Sequence, residues 1–107
     1  MAFEIILAPE AVADLRRLSA RDRAPVRDAM EIHLRHEPTK VSKSRIKQLR
    51  GLARPQYRLR VGELRVFYDV AVSEVQVLAI VAKADVDAWL QQEGQPHEES
   101  TPERDQG

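Results

Sequence analysis

The sequence predicts an α+β fold, a small antiparallel sheet in the order β-α-α-β-β-β-α with the helices packed on one face. Two observations carry that prediction. Three runs rich in β-branched and aromatic residues follow one another closely, Tyr57 to Val61, Leu64 to Val70 and Val75 to Val81, whereas the stretch from Pro9 to Glu37 shows the three- and four-residue apolar spacing of helices. Only Gly62-Glu63 separates the first two runs, and a glycine at the first loop position suits a type II′ hairpin turn.

Phe3 to Leu7 is a short apolar run that stops at Ala8-Pro9 and reads as an N-terminal strand joining the same sheet. Pro9 suits a first helical position, and Val12, Leu15 and Leu18 then form an inward stripe with Arg16 and Arg17 on the wet side. Ser19 and Asp22 form a weak capping signal for a second helix, in which Val26, Met30 and Leu34 share a face with Ala29 and His33. Pro25 is tolerable only in a first turn, so that helix is expected to begin near residues 21 to 24 and to end before Pro38. Residues 39 to 55 read as a connecting loop pinned to the core by Ile46, Leu49 and Leu52. After the three strands and an Ala71-to-Glu74 turn, Asp85 to Gln92 forms a last helix, docked through Trp89 and Leu90 and stopped by Gly94. The folded domain is expected over residues 1–92, followed over 93–107 by an acidic tail whose composition predicts disorder.

At 107 residues the chain has room for one hydrophobic core. No apolar run approaches the roughly 20 residues that span a bilayer. Met1-Ala-Phe-Glu lacks the basic and apolar regions of a signal peptide, so no membrane association and a cytoplasmic location are expected. The absence of cysteine excludes disulfides, thiolate zinc sites and a cysteine nucleophile. His33, His36 and His97 are too few and too scattered for a metal site, so no metal and no cofactor are expected. There is no phosphate-binding glycine loop and no Ser/His/Asp arrangement.

A formal net charge of zero conceals segregation. Lys40, Lys43, Arg45, Lys47, Arg50, Arg54, Arg58, Arg60 and Arg65 stand against Glu63 alone between residues 40 and 65, a local balance of +8. From Glu93 onward there are five acids against Arg104. Strand alternation puts Tyr57, Leu59, Val61, Leu64, Val66, Tyr68 and Val70 on the core face, and Arg58, Arg60, Arg65, Phe67 and Asp69 on the other. The two-residue loop sets the register, pairing Arg60 with Arg65 and Arg58 with Phe67. Like charges directly opposite cost up to about 1 kcal/mol, a penalty that an anionic partner reverses. Guanidinium groups bind phosphate oxygens bidentately and remain charged at any cellular pH. Two readings of this face stand side by side: a phosphate-binding cluster, or a solvated sheet face whose arginines splay apart. Phe67 is either a stacking platform for a base or a residue packed beneath the basic loop or the C-terminal segment. Lys83, at the junction of the last strand and helix, either reaches the sheet face or is a plain surface lysine. His33 and His36 read as surface or satisfied core residues, and Asp85 and Asp87 as capping residues.

The segment Tyr57-Arg-Leu-Arg-Val-Gly-Glu-Leu-Arg-Val-Phe-Tyr68, followed by Val75-Gln-Val-Leu-Ala-Ile-Val-Ala-Lys83, resembles the core signature of the RelE/ParE toxin superfamily, and the resemblance extends over residues 3 to 92. It implies a type II toxin neutralised by a cognate antitoxin. RelE-like members cut mRNA in the ribosomal A site, and ParE-like members target DNA gyrase. Carried onto this sequence, the resemblance makes Arg58, Arg60, Arg65 and Lys83 the catalytic candidates, with Lys43, Arg45, Lys47, Arg50 and Phe67 binding RNA. Lys83-Ala84 stands where RelE-like ribonucleases carry a further arginine, and Trp89 or Leu90 where they carry a C-terminal tyrosine. The implied reaction is attack of an RNA 2′-OH on its adjacent phosphate, with the arginines stabilising charge on pentavalent phosphorus.

Overall fold

A computed structural model describes residues 2–97; of the tail expected from residue 93, the part beyond His97 lies outside the described residues. Strand β1 (Glu4–Leu7) leads into helix α1 (Pro9–Arg17), where Pro9 takes the first helical position and Ala11 and Leu15 are buried. Helix α2 (Ala20–Ala29) starts at Ser19, whose hydroxyl accepts the Asp22 N–H at 3.2 Å. That cap fixes the start ahead of the expected position, so Pro25 lies inside the helix beyond its first turn. Pro25 is exposed there, so the Arg21 carbonyl that its missing N–H leaves without a helical partner is open to water. A π-helical turn, Met30–Leu34, continues α2 and keeps Met30 and Leu34 buried with Val26 and Ala29.

The stretch expected to be a loop contains two three-residue strands, β2 (Ile46–Gln48) and β3 (Leu52–Arg54). The hairpin follows as β4 (Tyr57–Val61) and β5 (Leu64–Val70), then β6 (Glu74–Ala82), a 3-10 turn (Lys83–Asp85), helix α3 (Val86–Glu93) and a short strand β7 (Gln95–Pro96). Strands β1, β6, β5, β4 and β2 form one sheet in that spatial order, and β3 pairs with β7. The sheet is mixed, since β1 runs parallel to β6 after the α1–α2 crossover while every other pairing is antiparallel. Gly62 has φ +59° and, among the described residues, no non-glycine residue is positive, the pattern of a type II′ turn. The β4–β5 register pairs Arg60 with Arg65, Leu59 with Val66 and Arg58 with Phe67, as the turn length required.

One bulge decides the inner architecture. Phe67 pairs with Ala79 but Tyr68 pairs with Val77, which leaves Leu78 as an extra residue in β6. The bulge lets Val77 and Ile80 both enter the main core under α1 and α2, while Ala79 and Val81 join Phe67 on the opposite face. Asp14 on α1 accepts the Ile80 N–H at 2.9 Å, satisfying a strand edge that β1 is too short to cover. Helices α1 and α2 pack on one face as expected, but α3 crosses to the other, because Phe67, Ala79 and Val81 offer Val86, Trp89 and Leu90 an apolar surface there. Gly94 ends α3 with φ −68°; a Cβ at this position would lie 2.5 Å from the Leu90 carbonyl oxygen, so close approach requires the glycine. Among the described residues no helix is long and apolar enough to cross a membrane.

Tyr68 is fully buried, stacks on Tyr57 at 5.5 Å between centroids, and donates its hydroxyl hydrogen to the Pro38 carbonyl at 2.6 Å. It ties the central strand to the chain leaving α2. Burial, and secondarily Tyr57, push its phenol far above the ordinary value. A raised folded-state pKa on an acid means that the stability of the neutral form is complete below the ordinary phenol value of about 10 and declines as pH rises above it. Tyr68→Phe should cost about 1–2 kcal/mol at neutral pH by orphaning the Pro38 carbonyl. Denaturant titrations across pH should show the wild type losing stability above about pH 10 and the variant losing less; identical alkaline profiles would place the alkaline transition elsewhere.

Candidate nucleic-acid interface

The outer face of the sheet divides into an apolar half and a cationic half. Strand β2 pairs with β4 so that Lys47 lies opposite Arg58 and Ile46 opposite Leu59. Ile46 therefore enters the core and Lys47 shares the outer face with Arg58 and Phe67, one row across three strands. The next row holds Arg60 and Arg65, followed by Val81. Arg45, just before β2, accepts the Arg60 N–H on its carbonyl at 2.8 Å and donates its own guanidinium to the Arg60 carbonyl at 3.4 Å. A basic run that looks like a connector is thus an edge strand delivering Arg45 and Lys47 beside the hairpin arginines.

Arg58 is the most constrained cation. It is part-buried, and its Nε is buried with no hydrogen-bond partner. Burial, then Arg65 and Arg60, push its guanidinium below the ordinary arginine value, which still leaves it a cation. A buried, unpartnered donor among like charges is electrostatically arranged to receive an anion. Arg65 is only 7% exposed and donates Nη1 to the Gly62 carbonyl at 2.9 Å and the Leu64 carbonyl at 3.0 Å. It braces the turn and supplies positive potential from behind, while Arg60 and Lys47 are exposed and free to reach outward.

Phe67 is not a stacking platform for a base. It is 0% exposed, with its ring 4.7 Å from Trp89 and 11° from parallel, so its aromatic face is consumed by α3. Stacking of this kind is worth about 0.5–1.5 kcal/mol beyond the buried area. Lys83 is exposed, and its N–H bonds the Glu63 carbonyl at 2.8 Å, which places it at the hairpin end of the face. Lys43 and Arg50 are exposed on either side of β2, beyond the paired rows. His33 is partly buried and pushed below the ordinary imidazole value by burial first and then by Arg45, and His36 is exposed. Asp85 is the N-cap of α3 with no side-chain hydrogen bond, and Asp87 lies in its first turn.

One contributor, and the position of another already named for RNA binding, escaped the sequence reading. Asp69 accepts the Gln56 N–H at 2.8 Å and pairs with Arg54 Nε at 2.8 Å, withdrawing Arg54 from the cationic set. Lys47 was counted in the basic run but not seen to oppose Arg58. The period-two sequence Arg45-Ile46-Lys47, with one apolar residue between two cations, was the available signal.

No protein-family model matches the chain, and no curated protein does. Solved structures do. A chain of the archaeal RelE–RelB complex from Pyrococcus horikoshii superposes with TM-score 0.64 at 23% identity, covering 78% of this chain and 97% of that one. The RelBE2 toxin-antitoxin complex of Mycobacterium tuberculosis gives 0.61 at 24%, covering 77% and 99%. The E. coli DinJ–YafQ toxin-antitoxin complex gives 0.64 at 12%, covering 80% and 98%. The chain has the RelE-like toxin fold.

The orphaned Arg58 donor generates a stability prediction. Arg58→Met keeps an unbranched stem, removes the like-charge repulsion and removes the unsatisfied group. It should raise stability by about 1 kcal/mol. Thermal unfolding at low and high salt should show a stabilisation that shrinks as salt rises; a destabilised variant would mean that Arg58 has partners in solution.

Proposed function

We propose that the protein is the toxin of a type II toxin-antitoxin module and acts as an mRNA endoribonuclease on the ribosome. The observation that carries this reading is the pair of adjacent rows that bring Lys47, Arg58, Arg60 and Arg65 together around the unpartnered Arg58 Nε. The fold shared with chains of toxin-antitoxin complexes supports the toxin class and an antitoxin partner. A place for an extended antitoxin segment exists as well. Among the described residues, strand β1 covers only Glu74 to Val77 of β6, so residues 78 to 82 have β5 on one side and no strand on the other, the Ile80 N–H alone being held there by Asp14. Beside them a groove of about 800 Å³ runs between α1 and α3, with Ala13 and Ala88 among its walls.

In the proposed reaction the RNA 2′-hydroxyl gives up its proton to solvent as its oxygen attacks the neighbouring phosphorus, and the 5′-oxygen of the next nucleotide departs and takes a proton from solvent, leaving a 2′,3′-cyclic phosphate and a 5′-hydroxyl. Arg58 and Arg60 hold the equatorial oxygens, whose charge grows in the transition state, and Arg65 adds potential from below. Lys47 and Lys83 contact flanking phosphates. Stabilised charge alone is a modest catalyst, so productive alignment of the 2′-oxygen falls to the ribosome-bound message.

A second reading, inhibition of DNA gyrase by protein contact, is favoured by one feature. Arg65 spends its hydrogen bonds on backbone carbonyls and Phe67 is sealed, so two residues expected to face substrate are withdrawn.

Induced expression of wild type, Arg60→Ala and Lys47→Ala, with transcript 5′ ends mapped in vivo, separates the two. The ribonuclease reading expects codon-phased cuts that fall at least about 100-fold for Arg60→Ala and less for Lys47→Ala. Growth arrest with intact messages and relaxed or broken DNA would establish gyrase as the target.

A further inference from the structure

We propose that residues 98–107 dock across the cationic face of the same chain and compete there with nucleic-acid phosphate. The proposal rests on the reading of that face as a nucleic-acid site. Its first support is where the described chain ends. Strand β7 pairs Pro96 with Leu52 and Gln95 with Arg54, which fastens the root of the segment to the basic stretch itself. His97 then lines a crevice with Gln48, Leu49 and Tyr57, at the end of β2 and one residue along from Lys47. The chain is delivered to the edge of the cationic face.

Charge is the second support. The segment carries Glu98, Glu99, Glu103 and Asp105 against Arg104, a balance of −3, opposite in sign to the Arg45, Lys47, Arg58 and Arg60 cations of the face. Its first two residues are the acids that would meet Lys47 and Arg45. Carboxylates match guanidinium donors in the fork geometry that phosphate uses, so the same Arg58 and Arg60 atoms serve either ligand.

Reach is the third. The rows from Lys47 to Arg65 cross two inter-strand spacings and two residues of strand, a diagonal of about 12 Å. Ten extended residues span up to about 33 Å, well beyond that diagonal. Tethering supplies it at millimolar effective concentration, enough for individually weak ion pairs to compete with a short RNA. Removing the competitor should tighten RNA binding by roughly three- to tenfold at about 50 mM salt, and by little at about 500 mM, where the Debye length falls to a few ångströms.

The test uses the full chain with Glu98→Gln, Glu99→Gln, Glu103→Gln and Asp105→Asn, which preserves length and every described element. Two quantities are read: the affinity for a ten-nucleotide 2′-O-methyl RNA at both salt concentrations, and the backbone amide shifts of Lys47, Arg58 and Arg60 without RNA. Docking expects shifted amides together with the salt-sensitive gain in affinity. Amides that shift while neither protein binds RNA would uphold docking and sink the nucleic-acid reading. Unshifted amides overturn docking whether or not RNA binding changes, because a gain in affinity without them is long-range charge alone.

Discussion

A two-residue turn leaves the central hairpin no freedom of register, and the rest of the molecule follows from that. Gly62 takes the positive φ that the turn needs, so Val61 pairs with Leu64 and the alternation along both strands is locked. A slip of one residue would carry Leu59, Val66 and Tyr68, all fully buried, to the opposite face. The opposition of Arg60 and Arg65 therefore cannot be relaxed by sliding. Its cost of up to about 1 kcal/mol is borne by contacts the same register creates, among them the stacking of Tyr57 on Tyr68.

Strand β5 is buried on both sides, from Arg65 to Asp69 without a break. That requires two covers, and the molecule finds them in different parts of its sequence: α1 and α2 over Val66 and Tyr68, and α3 over Phe67. The Leu78 bulge reconciles them by shifting the parity of β6 midway. The outer face is consequently half core and half charge, and the boundary runs between Phe67 and Arg58. Burial beside the Phe67 cluster contributes to lowering the Arg58 pKa, so the packing that seals one half of the face sharpens the electrostatics of the other.

The hairpin, both arginine pairings and the two early helices were legible because each is local: period-two alternation, a turn of fixed length, and apolar spacing of three and four. What was not legible is long-range. Strands β2 and β3 have three residues each, too few for a periodic signal, and they become strands only through partners nine or more residues away in the chain. Trp89 and Leu90 were readable as docking residues, but an apolar helix face does not specify which side of a sheet it meets. Phe67 illustrates the consequence. Its outward parity was correct, and its availability was not, because the residue that covers it lies 22 positions further on. For Arg65, parity likewise located the side chain, but not its commitment to the Gly62 and Leu64 carbonyls.

The chemistry open to this face is bounded by what it lacks near neutrality. Every polar side chain in the two rows is an arginine or lysine, and the lowered Arg58 remains a cation. Among the described residues, the histidine that feels Arg45 is His33, on the π-helical turn that packs with the main core. A cluster of this kind can gather phosphates and stabilise charge that grows on them, but its two rows hold no histidine or carboxylate to relay a proton. In the proposed reaction, discrimination among phosphates must then come from outside the cluster, from whatever holds a particular phosphodiester with its 2′-oxygen aligned. A general nuclease needs the opposite design, with an acid and a base fixed beside the bond. Under the proposed ribonuclease reading, this arrangement suits a protein that acts on a substrate presented by another assembly and whose own affinity for polyanions is held down when that assembly is absent.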